Sequence, residues 1–126
     1  MEFEYLKKSW KIFLKQVGLV IHVKNLPPGL EKLGFLSEVA ENFSLESLKE
    51  ALNNGIPVIA LLDPAVLYGG LQGFGHFVII IGLEENVIYY HDPDMGIELA
   101  KDVQLFFNAW EKFSMKGVTI WKSTKK

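Results

Sequence analysis

The chain has 126 residues, a length suited to one domain built round one core. Its apolar content of 49% excludes a disordered chain, and a net charge of −2 gives no electrostatic case for a nucleic-acid partner. Cysteine is absent, which excludes disulfides, thiolate metal sites and a cysteine nucleophile supplied by this sequence.

The start, "MEFEYLKKSW", lacks the basic-then-apolar order of a secretory peptide. No uninterrupted apolar run exceeds the five residues of Phe77 to Ile81, against the roughly 20 a membrane span needs. The expectation is a cytoplasmic protein with no membrane span. Phe3, Leu6, Trp10, Phe13, Leu14 and Val17 recur at helical spacing opposite Lys7, Lys8, Lys11 and Lys15. This predicts an amphipathic helix over residues 3–17 that covers a sheet and stops at Gly18. "LVIHV" (19–23) predicts a strand carrying His22, "NLPPG" a turn, and "FLSEVAENF" (35–43) a short strand with mixed faces.

Ser44 is a good N-cap for a helix over "LESLKEALNN", with Glu46 in its first turn and Leu45, Leu48 and Leu52 on one face; Gly55 stops it. "IPVIALLD" (56–63) predicts a strand, with Pro57 near its start. Asp63 to Gly75 reads as a long glycine-rich loop. A strand over 76–81, buried on both faces, then a tight turn in "LEENV" and a partner strand "VIYYHD" (87–92) make a hairpin. "PDMG" is a second turn, Asp102 caps a helix through Phe113, and "GVTIW" (117–121) is the last strand. Phe106, Phe107, Trp110 and Phe113 read as core. The layout is helices first and then an antiparallel sheet, an α+β domain.

His76 and Asp92 are the residues that can carry chemistry. One opens a strand of the hairpin and the other closes its partner, so the two stand at the same end. An aspartate there accepts a hydrogen bond from one imidazole nitrogen, fixes the tautomer and steadies the charged ring. The competing readings of nearby residues are weaker. "GGLQGFG" is followed by a strand and contains no lysine, unlike a phosphate loop, and fits a lid over a groove. Tyr68, Leu71, Phe74 and Gly75 are then the candidate binding residues, Leu71 and Phe74 forming an apolar lip. His91 and Asp92 point to opposite faces of one strand, so they cannot share an ion; no metal and no cofactor is expected.

"NNGIPVIALL", "GHFVIIIGLEENVIYYHDPDMG" and "FNAWEKF…GVTIW" together resemble the papain-like leader peptidases, domains that cut double-glycine leaders from peptides at the front of some exporters, and their free-standing relatives. The resemblance covers about Ser44 to Trp121. It implies a papain-like fold with helices packed on an antiparallel sheet, His76 as catalytic base, Asp92 as orienting acid, and Pro93 and Gly96 as the turn after it. That family's nucleophile is a cysteine at the start of its first helix, preceded by a glutamine that helps hold the oxyanion. Aligning Gly18 with that helix's closing glycine places Tyr5 near the thiol's position and the glutamine before Met1, as in a domain truncated at its N-terminus. A phenol, with a pKa near 10, is a poor acyl acceptor beside a thiol. Ser9 lies one turn too far along, and Ser44 is explained as a cap.

The resulting expectation is a single papain-like domain, residues 1–126, that has lost thiol catalysis. It would bind an extended peptide or protein segment, with a homodimer as a further possibility. The alternative is a hydrolase using a non-cysteine nucleophile, or a thiol from another chain.

Overall fold

The structure, a computed structural model, describes residues 31, 34–69, 75–92 and 97–122. The helix expected over 3–17, the strand with His22, the "NLPPG" and "PDMG" turns, and the positions of Tyr5, Ser9, Leu71 and Phe74 lie outside the described residues.

Three side chains start the three described helices. Ser44 opens α1 (Leu45–Asn53): its Oγ accepts from the Ser47 backbone N–H at 3.0 Å, while the Ser47 Oγ accepts from the Ser44 N–H at 2.8 Å. This reciprocal box satisfies two otherwise orphaned donors. Asp63 opens α2 (Pro64–Tyr68), accepting from the Ala65 N–H at 2.9 Å, with Pro64 at the first helical position. That corrects the expectation of an uninterrupted loop from Asp63 to Gly75: an acidic cap followed by proline is a helix start, because proline there gives up only an orphan donor. Gly69, at φ +80°, ends the helix in a conformation that a side chain would strain. Asp102 opens α3 (Val103–Glu111), its Oδ2 accepting from the N–H groups of Gln104 and Leu105.

Six described strands form one antiparallel sheet: β1 (Phe35–Ala40), β2 (Val58–Leu62), β3 (His76–Glu84), β4 (Val87–Asp92), β5 (Ile97–Asp102) and β6 (Gly117–Lys122). Their order is β1-β6-β2-β3-β4-β5. The α+β reading holds, but the expected order of helices before strands does not: among the described residues helices alternate with strands. β3 also continues to Glu84, so the hairpin turn is confined to Glu85 and Asn86. β5 was not anticipated from the sequence. It is held by backbone pairing to β4, from Val87 with Asp102 to Asp92 with Ile97.

Alternation along the strands divides the core. Val58, Ala60, Leu62, Val78, Ile80, Ile88 and Tyr90 face α1, α2 and α3 and pack with Leu48, Phe106, Ala109 and Trp110. Ile59, Leu61, Phe77, Ile79, Val118 and Ile120 form a second buried cluster on the opposite face. The central strands are thus apolar on both sides, each large side chain contributing roughly 1.5–3 kcal/mol on burial. Trp110 ties the helical layer to β6. It is fully buried, its Nε1–H donates to the Lys116 carbonyl at 2.7 Å, and its ring stacks on Phe43 at 5.3 Å. Gly117 lies under it, where a Cβ would come within 2.9 Å of the Ile59 carbonyl oxygen and 3.2 Å of the indole.

A bulge in β3 sets the faces near the site. Ile80 pairs with Tyr90, whereas Gly82 pairs with Tyr89, leaving Ile81 as the extra residue. Below it, His76 shares a face with Val78 and Ile80, and Asp92 shares that same face with Tyr90 and Ile88.

Candidate functional site

β3 and β4 bring the two predicted residues together on the helix-bearing face. His76 Nε2 and Asp92 Oδ1 are 2.8 Å apart. The Asp92 side chain is 1% exposed and that of His76 17%, so the carboxylate is sealed in while the ring reaches solvent. A carboxylate only accepts, so Nε2 carries the proton toward Asp92. The neutral ring then presents a lone pair at Nδ1.

A buried carboxylate is costly unless several donors serve it. α2 supplies one. Its last residue, Tyr68, donates from Oη to Asp92 Oδ2 at 3.0 Å and lies 2.7 Å from Tyr90 Oη. Burial pushes the Tyr68 phenol well above its ordinary pKa; the charge on Asp92 and the hydrogen bond donated to it push the same way. Tyr90, fully buried, is also raised, first by burial and further by the Asp92 charge. Both phenols are neutral at ordinary pH. The rest of the Tyr68 ring is exposed, and Lys101 of β5 places its ammonium 5.5 Å from the ring centroid.

Of the residues proposed from sequence, His76, Asp92 and Tyr68 therefore converge. Gly75 precedes β3 and turns its Cα toward the opposite layer: a Cβ there would stand 2.8 Å from Leu61 Cδ1 and 3.5 Å from the Phe113 ring. His91 is buried and, as a neighbour of Asp92 on one strand, points to the other face. No group of three or more His, Asp or Glu side chains among the described residues is placed to hold a metal ion. No described helix is long and apolar enough to cross a membrane.

Sequence reasoning missed Tyr90, and it named Tyr68 as a groove contact rather than a partner of Asp92. The first omission had a readable signal, because Tyr90 stands two residues before Asp92 and so shares its face of β4. The second had none, since α2 and β4 are joined only through tertiary packing. A separate open groove of about 580 Å³ lies at the other end of the sheet, lined by Glu38, Phe43, Glu50, Ala51 and Trp121 among others.

The sequence matches the profile of the Peptidase_C39-like family over residues 32–118, a span that contains both His76 and Asp92. The fold is similar to a crystal structure of a protein from Bacillus anthracis described as a C39-like peptidase, with a TM-score of 0.63 and 18% identity. That match covers 79% of this chain and 58% of the other, so this chain spans well under two thirds of its length. No curated protein matches the sequence. A family profile that accounts for most of the chain, a shared fold and a sequence without cysteine lead to one placement: the chain belongs to the Peptidase_C39-like family as a member without a thiol.

Proposed function

We propose that this chain is a catalytically impaired papain-like domain that binds an extended peptide or protein segment in the groove beside His76. The observation that carries the reading is the intact His76–Asp92 pair at 2.8 Å in a sequence with no cysteine. An imidazole held by a buried carboxylate both accepts at Nδ1 and, once protonated, donates there with full charge. It is therefore a ready partner for a peptide carbonyl or a terminal carboxylate. Tyr68, with its exposed ring, lines the groove in this reading, and Leu71, Phe74 and Gly75 are proposed as further contacts of the peptide. In this reading residues 1–126 act as one cytoplasmic domain with helices packed on the sheet, and a homodimer is compatible with it.

Isothermal titration with peptides ending in a double glycine tests the proposal. The expected result is a measurable heat that falls about tenfold or more in affinity in His76→Ala, the usual loss for a charge-assisted hydrogen bond. No heat across a varied peptide panel overturns it. The same pair in base-competent geometry favours one other reading, a hydrolase with a hydroxyl, water or second-chain nucleophile. Turnover of a broad peptide and ester library that disappears in His76→Ala selects that reading instead.

A further inference from the structure

We propose that Tyr90 and Tyr68 form a one-way hydrogen-bond chain that positions Asp92 and, through it, sets how firmly His76 holds a proton. The direction follows from counting protons. Tyr68 Oη lies 2.7 Å from Tyr90 Oη and 3.0 Å from Asp92 Oδ2, and a phenol has one proton to give. A carboxylate has none to offer, so the contact with Asp92 exists only if Tyr68 donates to it. Tyr90 must then donate to Tyr68. The chain reads Tyr90 to Tyr68 to Asp92 Oδ2, while Oδ1 of the same carboxylate takes the His76 Nε2–H at 2.8 Å.

Each link has a structural cause. Tyr90 is fully buried, so its proton has no solvent acceptor and is committed to Tyr68. Tyr68 is delivered by α2, which exists because Asp63 and Pro64 start it. The result is a carboxylate held at both oxygens, unable to rotate away from the ring. Donation from Tyr68 draws negative charge toward Oδ2 and leaves less of it facing His76. Donation from Tyr90 strengthens the Tyr68 O–H as a donor, since linked hydrogen bonds polarise one another. The other charged or titratable groups on the described elements around this ring are few. Asp63 follows Leu62, the cross-strand partner of His76, and is turned to the Ala65 N–H; Lys101 places its ammonium 5.5 Å from the Tyr68 ring centroid; Glu98 stands opposite His91 in the β4–β5 backbone register.

The inference rests on His76 and Asp92 being the acting pair of the proposed function, but its test needs no peptide. The His76 ring is titrated by NMR in the intact chain and in Tyr68→Phe, Tyr90→Phe and the double variant. Tyr68→Phe returns undivided charge to the Asp92–His76 contact and is expected to move the His76 midpoint upward by about half a pH unit or more. Tyr90→Phe moves it the same way by less. The double variant matches Tyr68→Phe alone, because Tyr90 acts only through Tyr68. A merely structural pair would lower thermal stability and leave the titration where it was. An unchanged or lowered midpoint in folded Tyr68→Phe, or additive shifts in the double variant, overturns the proposal. Should Tyr68→Phe fail to fold, Tyr90→Phe decides the matter: an upward shift supports the chain and an unmoved midpoint rejects it. Peptide titration of the same variants keeps the two readings apart, since peptide binding with no midpoint shift defeats only this inference.

Discussion

His76 and Asp92 touch without being cross-strand partners. Ile80 pairs with Tyr90 and Ile79 with His91, so the register brings Val78 level with Asp92. The histidine lies two residues further out and reaches the carboxylate on the diagonal, a distance that a long ring side chain spans and a short one does not. Its direct partner is Leu62 of β2. The pair is thus held by three adjacent strands, and its geometry depends on the sheet as well as on the hairpin.

Alkaline pH is expected to weaken the fold through the two tyrosines. Both have folded-state pKa values raised above the ordinary 10.0, so the native state keeps phenolic protons that the unfolded chain gives up. The stabilisation is fully present below about pH 10 and is lost progressively as pH rises above it. Urea unfolding between about pH 8 and 11 should show the decline, and the Tyr68→Phe, Tyr90→Phe double variant should show a shallower one.

Asp63→Ala removes the side chain that starts α2. A lost cap costs about 0.5–2 kcal/mol, and here it also loosens the segment that delivers Tyr68. Chemical denaturation should register the loss of stability. The His76 NMR midpoint should move in the same direction as in Tyr68→Phe.

Gly117→Ala is expected to destabilise by about 1–3 kcal/mol, in the range of an overpacked core. The new methyl would meet the Ile59 backbone oxygen at 2.9 Å, and backbone cannot step aside as a side-chain tip can. Gly75→Ala is the control. Its methyl meets the mobile end of Leu61, so thermal melts should place its loss well below that of Gly117→Ala.

Trp121→Ala separates the proposed groove beside His76 from the open groove at the β1–β6 end. Trp121 is partly exposed and lines the groove at the β1–β6 end, away from β3 and β4. Peptide affinity should be unchanged within about twofold in this variant, against a loss of about tenfold in His76→Ala. A reversal of that order would move the binding site to the other groove.

Much of the architecture was legible because local chemistry decided it. The Ser44 and Asp102 caps start helices where their spacing says they should; "VIALL" is buried on both faces, and of the five-residue apolar run Phe77 to Ile81 all but Ile81, the bulge residue, are buried. α2 was missed although its start lay in plain view, because the glycines after it outweighed the Asp63–Pro64 pair. β5 was missed for another reason. "IELAKD" has little intrinsic strand character, and its ladder to β4 supplies what its side chains do not.

By itself the sequence determined that these 126 residues supply no thiol, that a histidine and an aspartate stand at one end of a hairpin, and which runs make the central strands. These follow from residue identity and from short-range periodicity, which act over a few residues. Only the tertiary structure decided that the Asp92 carboxylate is sealed from solvent, that the imidazole meets it diagonally, and that two tyrosines from separate elements join it. Those depend on register, on a one-residue bulge and on the docking of α2, and such long-range pairings are set by the packing of the whole sheet.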